Sequence, residues 1–251
     1  MKSVIGRLLA GLKTTIWGGI SLLWLAPIIP LIAILPEFAQ HVAEVQLGMF
    51  ESEEAFAAQA MSAERWLFAY FKIAGLFIAI LAAARYWGGA RKLWWDLRGV
   101  AWKQLLIALA LNIAVTAIGL AIAHAFDDDV PVAINILYQI AILPLLIYFF
   151  GPLIGDRTMT LRRAYTYGWF AALLAGAYAL VTFGPAQLLH QYNHDLALGQ
   201  GEVIVWMLMV FDSVLVGLMA CWLGTALAAG YWLGLVPGGD SADGQPAQGR
   251  T

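Results

Sequence analysis

Six long apolar runs decide what this chain can fold into. Hydropathy places them at about 16–35, 66–85, 104–124, 132–154, 165–184 and 203–234. A helix rising 1.5 Å per residue needs ~20 apolar residues to cross a hydrocarbon layer about 30 Å thick. Inside that layer no water can serve the peptide groups, so a spanning segment must satisfy them within its own helix. The sequence therefore predicts an all-α, polytopic membrane bundle of six transmembrane helices. Composition agrees: 62% of the 251 residues are hydrophobic and 12% are charged, against about a quarter charged in soluble domains. The single cysteine, Cys221, falls inside an apolar run, so no disulfide framework is expected.

The runs also carry an orientation. The N-terminal arm holds Lys2, Arg7 and Lys13, and the first run contains Pro27 and Pro30 but lacks a small-x-small cleavage site, so it reads as a retained span. Arg85, Arg91, Lys92, Arg98 and Lys103 fall between the second and third runs. Arg157, Arg162 and Arg163 fall between the fourth and fifth, and Arg250 lies in the tail. The other connections hold Arg65 and a long set of acids, from Glu37, Glu44, Glu51, Glu53, Glu54 and Glu64 to Asp127, Asp128, Asp129, Asp195 and Glu202. Basic residues mark the cytoplasmic side. Both termini are therefore expected in the cytoplasm. Trp66 and Trp206 at the opposite boundary, and Trp87, Trp102, Trp169 and Trp232 at the inner one, suit the headgroup level.

Residues 1–236 are read as the transmembrane domain, with two connections that are more than loops. Segment 36–65 carries Phe38, Val42, Val45 and Met49 at helical spacing with acids on other faces, which predicts one or two amphipathic helices lying on the outer membrane surface. Segment 86–103 mixes Trp94, Trp95 and Trp102 with cations. It reads either as an interfacial helix against anionic lipids of the cytoplasmic leaflet or as a plain basic loop. Leu97-Arg98 before Trp102 and Leu161-Arg162 before Trp169 hint at a repeated two-helix hairpin. Residues 237–251, rich in Gly, Pro and Ser, predict a disordered cytoplasmic tail.

The stretch FFGPLIGDRTMTLRRAYTYGW, residues 149–169, together with six spans and both ends inside, resembles the six-helix domains of YciC-type inner-membrane proteins. Similar domains precede some glycerophosphodiester phosphodiesterases. The matching features are a proline-containing span and a short basic turn with Leu161, Ala164 and Trp169. The resemblance implies a bacterial inner-membrane address and assigns no catalytic residue. The acidic segment after the first run is not part of it.

Candidate chemistry concentrates on charges inside the runs. Lys72 and Asp212 alone remain there, each the same distance beyond an interfacial tryptophan, Trp66 and Trp206. Both runs head inward, so the two charges share a depth. They can form a dry structural pair or an ion or proton site; otherwise Lys72 snorkels and Asp212 is protonated. Asn112 and Gln139, with Asn135 and Tyr138, are further intramembrane polar groups whose ordinary role is to join helices. A stripe of Ser213, Gly217, Cys221, Gly224 and Ala228 permits close approach to the last run and places it centrally in the bundle or in a homo-oligomer.

A second pattern is His190 and His194, spaced i,i+4 so that both imidazoles share a helical face, followed by Asp195. His124 precedes the acids at 127–129, and Glu37, His41 and Glu44 share one face. Such sets can bind a divalent metal outside the membrane, zinc above all; otherwise they are ordinary surface, and no cofactor is expected. No GxSxG, Walker A, GxGxxG or CxxC motif occurs, and the cations follow topology, so nucleic acid is not a partner. The leading expectation is a non-enzymatic envelope protein acting as a scaffold or interaction partner in the bilayer. The alternative is a small ion- or proton-coupled transporter or channel with a Lys72/Asp212 site, and the third is a membrane enzyme with an outer metal.

Overall fold

In a computed structural model that describes residues 4–90, 93–127 and 129–235, the chain is helical, with no strand among the described residues. The helices are α1 (Val4–Leu25), α2 (Ile28–Gln46), α3 (Glu53–Gln59), α4 (Ala63–Arg85), α5 (Trp102–Ala125), α6 (Val132–Leu153), α7 (Leu161–Ala197) and α8 (Glu202–Leu235). All but α3 are long and apolar enough to span a membrane. This is a multi-pass membrane protein.

Seven such helices stand where the hydropathy runs predict six. The difference lies at Ala26 and Pro27. Proline has no N–H to continue the ladder, and its ring crowds the preceding turn. The expected first run is thus divided between α1 and α2, with Ala26 closing onto the Leu22 carbonyl and Ile29 onto that of Ala26. The two helices lie end to end along α8. Gly18 faces Thr225 and Gly19 faces Trp222, whereas Pro30 and Ile34 of α2 face Gly217.

The expected surface helix at 36–65 needs correction. Helix α2 continues to Gln46, and its polar stripe is turned inward: Glu37, Gln40, His41 and Glu44 are all buried. Only the short α3 has no buried residue. The acids of this segment are expected to face water, but Lys72 and Arg65 of α4 hold Glu37 and Glu44 inside. Pro36 supplies no N–H to the Ile32 carbonyl, and Gly75 lets the α4 backbone come close to that same carbonyl.

Helix α8 is the axis, packed by α1, α2, α4, α6 and α7. Its small residues set the spacing. A Cβ at Gly230 would stand 2.7 Å from Ala175 Cα, and one at Gly224 would stand 2.7 Å from Ala84 N. The stripe expected from Ser213 to Ala228 is fully buried, as that reading requires of a central helix.

Among its described residues, segment 86–103 is not one continuous helix. A π-helical turn at Tyr86–Ala90 ends in Gly89 with φ of 130°, and a single 3-10 turn covers Leu97–Gly99. Arg91 and Lys92 lie outside the described residues, as does the tail 237–251. Buried Arg85 holds this connection by donating to the carbonyls of Trp94, Asp96 and Leu153. The exposed Arg98 hydrogen-bonds Asp96 and pulls its carboxyl down to about 2.

A second fastening sits between α6 and α7. Tyr231 donates to Asp156 Oδ2 at 2.6 Å, Thr158 donates to its other oxygen, and Arg163 stands 3.6 Å away. Burial alone would raise the Asp156 carboxyl, but these hydrogen bonds and the Arg163 charge hold it below its usual range. A carboxyl lowered in the folded state stabilises fully above the unfolded value, about pH 4, and the stabilisation is lost as pH falls through the folded value. Asp156→Asn is therefore expected to flatten the acid limb of a stability-versus-pH curve. Thr160 caps α7 by accepting from Arg163 N at 3.1 Å. Thr160→Ala is expected to cost about 1 kcal/mol in chemical unfolding.

Candidate functional site

At the end of the bundle that carries α3 and the α7–α8 turn, four helices aim polar stripes at one another. Helix α2 contributes Glu37, Gln40, His41 and Glu44, one face at i, i+3, i+4 and i+7. From α4 come Arg65 and Lys72, again seven apart. Helix α7 adds His190, Asn193 and His194, and α8 adds Asp212. Glu37, His41, Glu44 and Asp212 have no accessible surface.

Asp212 is the hub. Its Oδ2 lies 2.7 Å from His190 Nδ1, 3.2 Å from His41 Nε2 and 3.6 Å from His194 Nε2. Asn193 donates to its Oδ1 at 2.9 Å. The other ring nitrogen of His41, Nδ1, meets Glu44 Oε2 at 3.0 Å. Glu44 Oε1 is held in turn by Gln40 at 2.7 Å and by Arg65 Nε at 3.0 Å. On the remaining flank, Glu37 Oε1 pairs with Lys72 Nζ at 2.7 Å and lies 3.4 Å from His41 Nε2.

Above this centre the helix ends close a small apolar cap of Phe50, Ala197, Val205 and Met209. Gly199 N donates to the Phe50 carbonyl at 2.8 Å, tying the α2–α3 connection to the α7–α8 turn. The Phe50 ring stands 6.0 Å from the His194 ring. Burying three carboxylates under such a lid is costly unless each is paired and hydrogen-bonded. Many of these groups are served, yet Glu37 Oε2, Gln40 Oε1 and His194 Nε2 make no hydrogen bond.

The expected residues divide cleanly. Lys72 and Asp212 belong to the same centre, but no direct ion pair joins them; Glu37 takes the lysine and the histidines take the aspartate. His190 and His194 converge on Asp212 as their i,i+4 spacing allows. Asp195 does not, because the next residue on a helix points about 100° away, and it is exposed. His124 is exposed at the end of α5. Asn112 donates to the Ala108 carbonyl within its own helix, and exposed Gln139 reaches only Asn135, so neither joins the centre. Glu37, His41 and Glu44 had a signal in their shared face. Arg65 and Asn193 had none beyond lying one or two turns from a candidate.

Arg65→Ala removes a charged hydrogen bond from buried Glu44 and its link to the Ala60 carbonyl. It is expected to lower unfolding free energy by about 1.5–3 kcal/mol in detergent denaturation.

No family model matches the chain, and neither a curated protein nor a solved structure is found to be similar to it. Leu161, Ala164 and Trp169 sit at the start of α7, far along that helix from His190.

Proposed function

We propose that this membrane protein binds a cation in the Asp212 centre and keeps it there. The observation that carries this reading is a set of buried polar atoms without a hydrogen bond in one cluster, Glu37 Oε2, Gln40 Oε1 and His194 Nε2, the last only 3.6 Å from Asp212 Oδ2. A purely structural ion pair needs neither three imidazoles around one carboxylate nor unsatisfied lone pairs beside it. The scaffold expectation gives no account of them.

Retention rather than passage is supported by the packing of α8 beyond the centre. Gly217, Gly224 and Gly230 bring α8 against α2, α4 and α7 so closely that added methyl groups would overlap neighbouring atoms, many of them backbone. That packing leaves little space for a conduit along the axis. The depth also fits a terminal site. Asp212 and Trp232 are about 30 Å apart along α8, the thickness of a hydrocarbon layer. The centre then lies at one membrane boundary.

In this reading α1 and α2 cross once together, so the chain makes six crossings with both termini in the cytoplasm of a bacterial cell and α3 outside. Buried Cys221 would not label, which leaves introduced cysteines to report. Ala57→Cys is expected to react with an impermeant thiol reagent in intact cells, and Arg157→Cys only after permeabilisation. The reverse pattern would overturn the orientation.

Cation binding is tested by thermal unfolding of the purified full chain in nanodiscs with Na⁺, K⁺, Mg²⁺, Ca²⁺, Zn²⁺ and Co²⁺ in turn. At least one is expected to raise the midpoint, and Asp212→Asn is expected to remove that rise. No response to any of them would sink the reading.

A further inference from the structure

We infer that the ion is a divalent transition metal, held by His41, His190, His194 and Asp212 with Glu37 beside them. This rests on the cation-binding reading and names its ligand class. Donor chemistry is the first support. Calcium and magnesium prefer oxygen ligands, whereas imidazole suits zinc, copper, iron and nickel. Three imidazoles meeting at one carboxylate oxygen form a nitrogen-rich set.

Spacing is the second. Ligand atoms about 2.0–2.1 Å from a tetrahedral zinc stand about 3.4 Å from one another. His41 Nε2 lies 3.2 Å and His194 Nε2 3.6 Å from Asp212 Oδ2, and Glu37 Oε1 lies 3.4 Å from His41 Nε2. These are the edges of a coordination polyhedron. The shorter His190 contact, 2.7 Å, is a hydrogen bond that would lengthen by about half an ångström as both atoms turn to the metal.

The surrounding shell is the third support. Metal-bound histidines commonly donate their second ring N–H to a carboxylate, which fixes the tautomer and aims the other nitrogen. His41 is arranged in this way: Nδ1 faces Glu44, Glu44 is braced by Gln40 and Arg65, and Nε2 is left to the centre. Fully buried Glu37, with Oε2 unpartnered, stands beside it. Charge agrees as well. Glu37, Glu44 and Asp212 against Lys72 and Arg65 leave one uncompensated negative charge when the imidazoles are neutral, so a cation is favoured.

The deciding experiment uses the full chain in nanodiscs, stripped with chelator and titrated with Co²⁺ and Zn²⁺. One equivalent of Co²⁺ is expected to give the visible bands of a four- or five-coordinate nitrogen/oxygen site, which one equivalent of Zn²⁺ bleaches. Six-coordinate, aqua-like cobalt in the wild-type protein would overturn the inference without any variant having to fold. His41→Ala and the double His190→Ala/His194→Ala are expected to lose binding by about 100-fold or more, and Glu44→Gln by about 10–100-fold. His124→Ala, at an exposed histidine, is expected to bind like wild type. Equal binding by all of these would show adventitious surface histidines only and overturn the assignment. If Na⁺, K⁺, Mg²⁺ or Ca²⁺ stabilises the protein but Zn²⁺ and Co²⁺ do not, the transition-metal inference fails and the cation reading stands. If no cation acts, both fall.

Discussion

Asp212→Ala is expected to cost about 3–5 kcal/mol of unfolding free energy, because removing one partner from a buried charged network strands the others. The carboxylate touches His41 and His190 and accepts from Asn193, and of that set His41 Nε2 would keep Glu37 Oε1 at 3.4 Å. Asp212→Asn keeps the size and one accepting oxygen, so it is expected to lose less stability while losing ion binding altogether. Tryptophan fluorescence during denaturation in detergent reads the first effect, and metal titration reads the second. A loss below about 1 kcal/mol in the alanine variant would mean that the centre is wet and readily reorganised.

The other large effect is expected far from any charge. Gly224 faces the Ile80 carbonyl, Ala83 Cβ and Ala84 N, and a Cβ there would sit 2.6 Å from the Ala83 methyl and 2.7 Å from the Ala84 nitrogen. Two of these three neighbours are backbone, so no rotamer change can relieve the clash. Gly224→Ala is expected to cost about 1–3 kcal/mol by overpacking. Gly224→Leu is expected to prevent α4 from docking, which would appear as loss of monodisperse protein in size-exclusion chromatography. Gly176, on the outside of α7 with nothing within 4 Å of a Cβ, is the control. There the same change to alanine is expected to be neutral or to gain up to about 1 kcal/mol.

Much of this arrangement was legible in the sequence, and the parts that were not share a cause. Equal depth of Lys72 and Asp212 follows from two helices running the same way. Gly224 lies opposite Ala84, and Lys72 stands as far from Ala84 as Asp212 does from Gly224. Who stands between them was not legible, because that depends on how α2 is rotated. Hydropathy averages over a window, and the stripe from Glu37 to Glu44 lowers the mean enough to end the first run at 35. The same stripe fits a surface helix or a buried one, since periodicity marks a face and not its surroundings. Ala26 and Pro27 were inside the expected run, where proline can kink a membrane helix or divide it. His190 and His194 were readable as a pair from spacing alone. Their distance from His124 was not, because α5 and α6 meet each other through Tyr138 and Val115 and leave His124 exposed.

That α8 is the axis of the bundle and is made after α1 to α7 has a consequence for biogenesis. Ribosomes deliver α2 and α4 long before Asp212, Gly217 and Gly224 exist. Until then Glu37, His41 and Glu44 have one another, Gln40, Lys72, Arg65 and water to answer them, but not Asp212, and α1 has no α8 surface to lie along. The early helices must therefore wait in the membrane or its boundary as a loose assembly, their polar stripe unsealed. Synthesis of α8, residues 202–235, would then close the bundle and shut the histidine centre away in one event. A nascent chain halted before residue 202 should be easily degraded, and any metal would enter the centre only as α8 arrives.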